Sequence, residues 1–175
     1  MAARSEADPS GGLRISTDPA DVDLDWLHPA LSERAYWALG RSRELVERSV
    51  AGSLCFSALA DGRQVGFARV VTDGATFAWV CDVFVDEAWR ARGIGGRLMA
   101  AIVGDPRLQG LRRMVLATND AGPLYERYGF GPLAHPERWM ERTRPPARDV
   151  GHSASAQEDP LTIPVSSRQA YPSLR

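Results

Sequence analysis

From Ser53 to Val85 the chain runs through three apolar stretches, SLCFSALA, RQVGFARVV and ATFAWVCDVFV, divided from one another by Asp61-Gly62 and Asp73-Gly74. Asp-Gly accepts the positive φ angles of a tight primed turn, so the pattern predicts an antiparallel meander of three strands. Upstream, RISTD reads as a short first strand, and DLDWLHPALSERAYWALGRSRELVERSVAGS as two short helices broken at Gly40. Ser42 is placed to cap the second helix and Gly52 to stop it, while Pro29 leaves the middle of the first in question. Downstream, Ile94, Leu98, Ala101 and Ile102 recur at helical spacing, then RRMVLAT reads as a strand, AGPLYERYG as a last helix and FGPL as a final strand. A strand–helix–strand crossover after a meander predicts a mixed sheet covered by helices.

The patterning also sets the boundaries. Residues 1–13 are polar and read as a flexible arm, residues 14–142 as one folded domain, and residues 143–175 as a Pro/Ser-rich, loosely packed or disordered tail. A chain of 175 residues with 44% hydrophobic content suits one domain with a true core. No run of about 18 uncharged apolar residues predicts a membrane span, and the first residues lack the apolar stretch of a secretory signal, so a cytoplasmic protein without a membrane partner is expected.

Charge changes the picture little. The net charge of −1 gives no overall pull towards nucleic acid, and none is expected as a partner. All 21 basic residues are arginine, which fits a GC-rich codon bias better than a choice of guanidinium chemistry. Cys55 and Cys81 sit inside apolar runs and read as buried thiols; His28, His135 and His152 lack metal-binding spacing, so no metal is expected.

The candidate chemistry lies in VDEAWRARGIGGRLMAAIV, residues 85–103, where an Arg-rich turn meets three glycines at the mouth of an apolar helix. The first four N–H groups of a helix have no internal acceptor and its dipole favours an anion there; glycine removes the Cβ that would keep a bulky anion away. Arg90, Arg92 and Arg97 add positive charge, so a phosphate or pyrophosphate is the expected ligand. Gly93-x-Gly95-Gly96 lacks the third glycine of a dinucleotide fingerprint, and Gly-Lys-Ser/Thr is absent.

Arg90-Ala91-Arg92-Gly93-Ile94-Gly95 resembles the phosphate-binding signature Arg/Gln-x-x-Gly-x-Gly/Ala of the GNAT superfamily of N-acetyltransferases. AGPLYERYGF, with Ala121, Leu124, Tyr125, Glu126, Gly129 and Phe130, resembles the same family's later helix motif. Thr118 departs from it, standing where members often carry a coenzyme-contacting asparagine, with Asn119 one step later.

The resemblance implies an α/β (α+β) GNAT fold: a mixed, mostly antiparallel sheet of six or seven strands flanked by about four helices. It implies acetyl-CoA as cosubstrate, with the pyrophosphate on the N–H groups of about Arg92 to Arg97, a set that includes Gly93, Ile94, Gly95 and Gly96. It also implies that Val83, Phe84 and Val85 lie against the pantetheine arm, that the Val85 N–H supports the thioester oxygen, and that Tyr125 is the general acid.

Asp82 stands inside an apolar strand, on the face expected to lie opposite Cys81, Val83 and Val85. A carboxylate there is costly unless solvated, paired or used. It reads either as the base, or as a carboxylate holding an ammonium group, facing solvent or paired with an arginine such as Arg69. The acceptor pocket implied by the family falls on the first two helices and the segment after the last one, which nominates Tyr36, Trp37, Arg41 and Trp139. A small-molecule amine, amino-acid-like, is the expected acceptor. A catalytically idle acyl-CoA sensor and a protein or peptide N-acetyltransferase are the alternatives, and members of the family are often homodimers.

Overall fold

A computed structural model describes residues 12–143, which fall into two compact units divided after Ala134. The expected arm up to residue 11 and the tail from residue 144 lie outside the described residues. The first unit carries a five-stranded sheet in the order β1-β2-β3-β4-β5: β1 (Arg14–Ser16), β2 (Leu54–Ala60), β3 (Arg63–Thr72), β4 (Phe77–Val85) and β5 (Arg113–Val115). The pairings from β1 to β4 are antiparallel and β4–β5 is parallel, as a meander followed by a crossover requires.

Four α-helices accompany the sheet among the described residues, besides short 3-10 turns: α1 (Leu24–Arg34), α2 (Arg43–Ala51), α3 (Ile94–Gly104) and α4 (Gly122–Glu126). Asp23 caps α1 through Asp25 and Trp26, and Ser42 caps α2 through the Leu45 N–H. Pro29 sits inside α1 without ending it; Ala30 and Leu31, its neighbours, are buried and hold the second half of the helix in place. None of the helices of the described residues is long and apolar enough to cross a membrane.

The sheet buries both faces. On one side Ile94, Leu98, Met99 and Ile102 of α3 pack against Phe56, Ala58, Ala68, Val70, Ala78 and Val80. On the other, Leu27, Ala30 and Leu31 of α1 and Val46 of α2 pack against Cys55, Phe67 and Phe84. This double cover explains why β2 is apolar at nearly every position instead of alternating.

Among the described residues the sheet has five strands, against the six or seven expected, and Phe130–Leu133 forms none. Gly129 turns the chain at φ 83° and Pro132 has no N–H to give a ladder. The two hairpins also differ. Asp61 and Gly62 have φ of 49° and 76°, as a primed turn requires. Asp73-Gly74 opens a longer loop in which the Asp73 carboxylate accepts the N–H groups of Ala75, Thr76 and Phe77, so the aspartate acts as a cap. In the second unit the described residues form one short 3-10 turn, Pro136–Arg138, with His135 Nδ1 3.2 Å from Glu137 Oε1.

Candidate active site

β4 is the element on which the site is built. Opposite Phe67 to Arg69 of β3 it spends one residue too many, running from Phe84 to Cys81, and Asp82 absorbs the excess with φ 50°. A bulge of this kind reverses the alternation of side chains beyond it. Cys81 lies level with Arg69 and Cys55 on the α1/α2 side, and Phe84 joins the same side, whereas Val83 and Val85 pack against the α3 side. Asp82 therefore shares a face with Cys81, contrary to the alternation expected of an unbroken strand.

The extra residue delivers Asp82 into a cluster of donors. Its Oδ2 accepts from Arg69 Nε at 2.6 Å and from Arg41 Nη1 at 2.8 Å, and its Oδ1 accepts from Trp37 Nε1 at 3.1 Å. Arg69 gives a second bond to Ser53 Oγ at 3.2 Å. Tyr36 stacks edge-on against Trp37, with ring centroids 4.9 Å apart. Three of the four nominated acceptor residues thus meet round Asp82. Trp139 lies in the second unit, half-buried after its 3-10 turn.

The other edge of β4 is open. Only Phe77, Ala78 and Trp79 pair with β5, so from Val80 to Val85 that edge has no strand partner among the described residues. Asp86 donates its N–H to the Val65 carbonyl at 2.9 Å, which makes Gly66–Val85 a pair that does not exchange hydrogen bonds. In an antiparallel ladder the backbone groups of such a residue point away from the partner strand. Val85 accordingly directs its N–H to the open edge, and Arg90 Nε reaches its carbonyl at 3.3 Å. Phe84 contributes backbone only, since its ring is buried between Trp26 and the Arg34 guanidinium.

Beyond Val85 the chain turns through Ala91 (φ 61°) and Gly93 (φ 77°) into α3. The Arg97 N–H donates to the Gly93 carbonyl at 3.0 Å, closing the first helical bond. The N–H groups of Ile94, Gly95 and Gly96 precede that bond and have no acceptor within the helix. Nothing lies within 4 Å of where a Gly93 Cβ would stand. Gly95 and Gly96 have a second reason to be glycine: a Cβ on them would stand 3.3 Å from Leu124 and 3.1 Å from the Tyr128 hydroxyl. The helix mouth is glycine-rich partly so that the segment starting at α4 can close on it, and Tyr128 fastens the contact with a 2.7 Å bond to the Gly96 carbonyl. Sequence patterning assigns no such role to Tyr128; the signal was present in the YERYGF spacing but overshadowed by Tyr125.

The three arginines divide their work. Arg90 and Arg92 are exposed beside the turn, Arg92 lying over the Trp89 ring at 4.7 Å. Arg97 turns its guanidinium to the Leu13 carbonyl at 2.6 Å, tying α3 to the chain entering β1. Tyr125 is 8% exposed and stacks edge-on with Phe130. Burial raises its pKa above the ordinary value of 10.0, reinforced by Asp120 and Tyr36, so the phenol keeps its proton at neutral pH. Thr118 Oγ1 accepts the Ala121 N–H at 3.0 Å, ahead of α4. Cys55 and Cys81 are free thiols, both pushed up to about 11 by burial and therefore poor nucleophiles.

Comparison with known proteins joins these features to a family. Residues 51–132 match the acetyltransferase (GNAT) domain family. A Gibberella zeae protein described as an acetyltransferase is 30% identical over 137 residues, spanning 66% of this chain and 76% of its own length. A crystal structure of a GNAT-family acetyltransferase from Xanthomonas campestris pv. campestris superposes with TM-score 0.74 at 48% identity, covering 76% of this chain and 94% of that one. The chain belongs to the GNAT acetyltransferase family. GNAT membership agrees with the mixed sheet, its meander and its crossover. At the level of fold alone, a Clostridium acetobutylicum structure described as a predicted acetyltransferase with acetyl-CoA has TM-score 0.56 at 14% identity, covering 75% of this chain and 95% of that one. The family match begins at residue 51 and leaves out α1, all of α2 but its last residue, and the connection between them on which Tyr36, Trp37 and Arg41 stand.

Proposed function

We propose that this GNAT-family chain is an acetyl-CoA-dependent N-acetyltransferase acting on a primary amine of a small molecule. The observation that carries the reading is the meeting of two unsatisfied surfaces: the open edge of β4 ending at the Val85 N–H, and the uncapped first turn of α3. An extended arm fits the first by adding as a strand, and a pyrophosphate fits the second through the N–H groups of Ile94, Gly95 and Gly96 with Arg90 and Arg92 nearby. Arg97 contributes through its link to Leu13 and not as an anion ligand, since its N–H and guanidinium are both engaged.

Acetyl-CoA supplies an activated acetyl group: the amine nitrogen forms a C–N bond to the carbonyl carbon as the C–S bond breaks. Val85 donates its N–H where negative charge develops on the carbonyl oxygen. Tyr125 gives its phenolic proton to the departing sulfur and recovers one from the nitrogen through solvent, so that the net movement is one proton from nitrogen to sulfur. Asp82 does not serve as the base in this scheme. Both its oxygens are occupied by donors from Arg41, Arg69 and Trp37, and it holds the acceptor side in position.

Tyr125→Phe tests the assignment. Turnover, read as free thiol released on mixing with a panel of amines, should fall at least tenfold while calorimetric affinity for acetyl-CoA stays within about twofold. Wild-type turnover in the variant would remove Tyr125 from the chemistry.

A further inference from the structure

We infer that the amine accepted at this site carries a carboxylate, and that Arg41, held in place by Asp82, is the residue that reads it. The inference rests on the acetyltransferase reading above and narrows its acceptor.

The cluster round Asp82 is unbalanced. Two guanidinium groups, Arg41 and Arg69, face one carboxylate, and Trp37 adds a further donor. The side chains of Arg41 and Arg69 keep 19% and 14% of their exposure, and that of Asp82 keeps 2%, so water screens the surplus positive charge only in part. The two arginines are not equivalent. Arg69 spends Nε on Asp82 and Nη1 on Ser53, which fixes it as part of the sheet. Arg41 spends only Nη1, leaving Nε and Nη2 with no protein acceptor among the described residues. A guanidinium has five N–H donors in a planar fork, and donors left unmatched in a half-buried site favour a ligand that matches them. A carboxylate does so in two parallel bonds, whereas a cationic amine chain would meet repulsion and a sugar hydroxyl offers a single uncharged acceptor atom.

The site is also in the right neighbourhood. Trp37 is bonded to Asp82 and Tyr36 packs edge-on against Trp37, so the approach to Arg41 is lined with aromatic surface. An acceptor whose carboxylate lies on Arg41 could lay its stem along this aromatic pair and present its amine towards Tyr125. The backbone round Arg41 is pinned as well, with His28 Nε2 3.2 Å from the Arg41 carbonyl and the Arg41 N–H on the Ala38 carbonyl.

The test is a thiol-release assay on the full chain with acetyl-CoA and matched pairs of acceptors, each pair an amino acid and the amine left by removing its carboxylate. The wild type should show kcat/KM at least tenfold higher for the carboxylate member of the preferred pair. Arg41→Gln should bring the two members within about twofold, chiefly by raising KM for the carboxylate member. Arg41→Lys should restore part of the preference. Equal use of both members by the wild type, or a preference that survives Arg41→Gln, overturns the inference. Should Arg41→Gln fail to fold, an amine-free analogue of the preferred acid provides the second measurement: it should compete with the decarboxylated amine on the wild type, and absence of competition overturns the inference equally. Thiol release with no carboxylate preference defeats this inference alone. No release with any of the amines, while acetyl-CoA still binds, defeats the enzyme reading together with it.

Discussion

Replacing Asp82 by asparagine removes one negative charge from a site where two guanidiniums depend on it, and the structure allows the cost to be estimated. Three donor contacts converge on the carboxylate, at 2.6, 2.8 and 3.1 Å, and two of them come from cations. Each charged bond contributes about 1.5–3 kcal/mol net, so the gross loss is roughly 3–6 kcal/mol. Two terms work against it. The asparagine is cheaper to bury than the aspartate, and both arginines keep enough exposure to regain some water. A net loss of about 3 kcal/mol is expected, at the lower end of the range for removing one partner of a buried pair. Backbone strain does not contribute, because asparagine adopts the φ of 50° at this position as readily as aspartate does. Asp82→Ala should cost about 1 kcal/mol more, since alanine does not. The measurement is urea unfolding at pH 7 of both variants, with Asp21→Asn as control. Asp21 accepts from Arg14 and from the Ser16 hydroxyl near the surface, where water screens the pair and the loss should be clearly smaller than at Asp82. A loss at Asp82 below about 1 kcal/mol, or equal to the control, would refute the view that this carboxylate organises the acceptor side.

Further consequences can be measured. Tyr128→Phe should lower stability by about 1 kcal/mol through the lost bond to the Gly96 carbonyl. Because a Gly96 Cβ would press on that hydroxyl, Gly96→Ala should cost at least about 0.5 kcal/mol less in the Tyr128→Phe background than alone; strict additivity in a double-mutant cycle would deny the contact. Asp73 and Asp105 have pKa values below the ordinary 3.8, the first because the Thr76 hydroxyl and the following backbone N–H groups bond its carboxylate, the second because Arg107 does. A lowered carboxyl stabilises the fold above its unfolded pKa and loses that contribution as pH falls through the folded value. Melting temperature should hold from neutrality down to about pH 5 and drop below about pH 4, and Asp73→Asn should make the acid drop shallower; an identical acid limb would count against the loop cap.

How far the sequence carried the fold depends on where the deciding contact was local. Asp61-Gly62 makes its turn from its own two residues, and Ser42 and Gly52 bound α2 with side chains and dihedrals close at hand. The same Asp-Gly pair at Asp73 behaves otherwise because its carboxylate finds three amides further along, a choice that a dipeptide rule does not contain. The strand expected at Phe130–Leu133 had an apolar look but no donor at Pro132. The site divides in the same manner. Arg90, Gly93 and Tyr125 were readable from spacing, because the residues of each motif are contiguous. Arg41 and Trp37 could be nominated but not joined to Asp82, which is 41 and 45 positions away in the chain. Spacing marks Gly95 and Gly96 as candidates for anion contact and is silent on the second reason for them, which lies at Leu124 and Tyr128.

The surplus residue in β4 makes that strand sensitive to its length in a way that no single side chain is. Deleting one position between Cys81 and Val83 would restore regular pleating and send every side chain on one flank of the cut to the opposite layer. Either the ring of Phe84 would be driven towards α3 and the two valines towards α1, or the earlier half would invert instead. The odd count is therefore a spacer that lets one ribbon serve two interiors out of phase, and homologues should tolerate exchange of letters here far better than a change in their number.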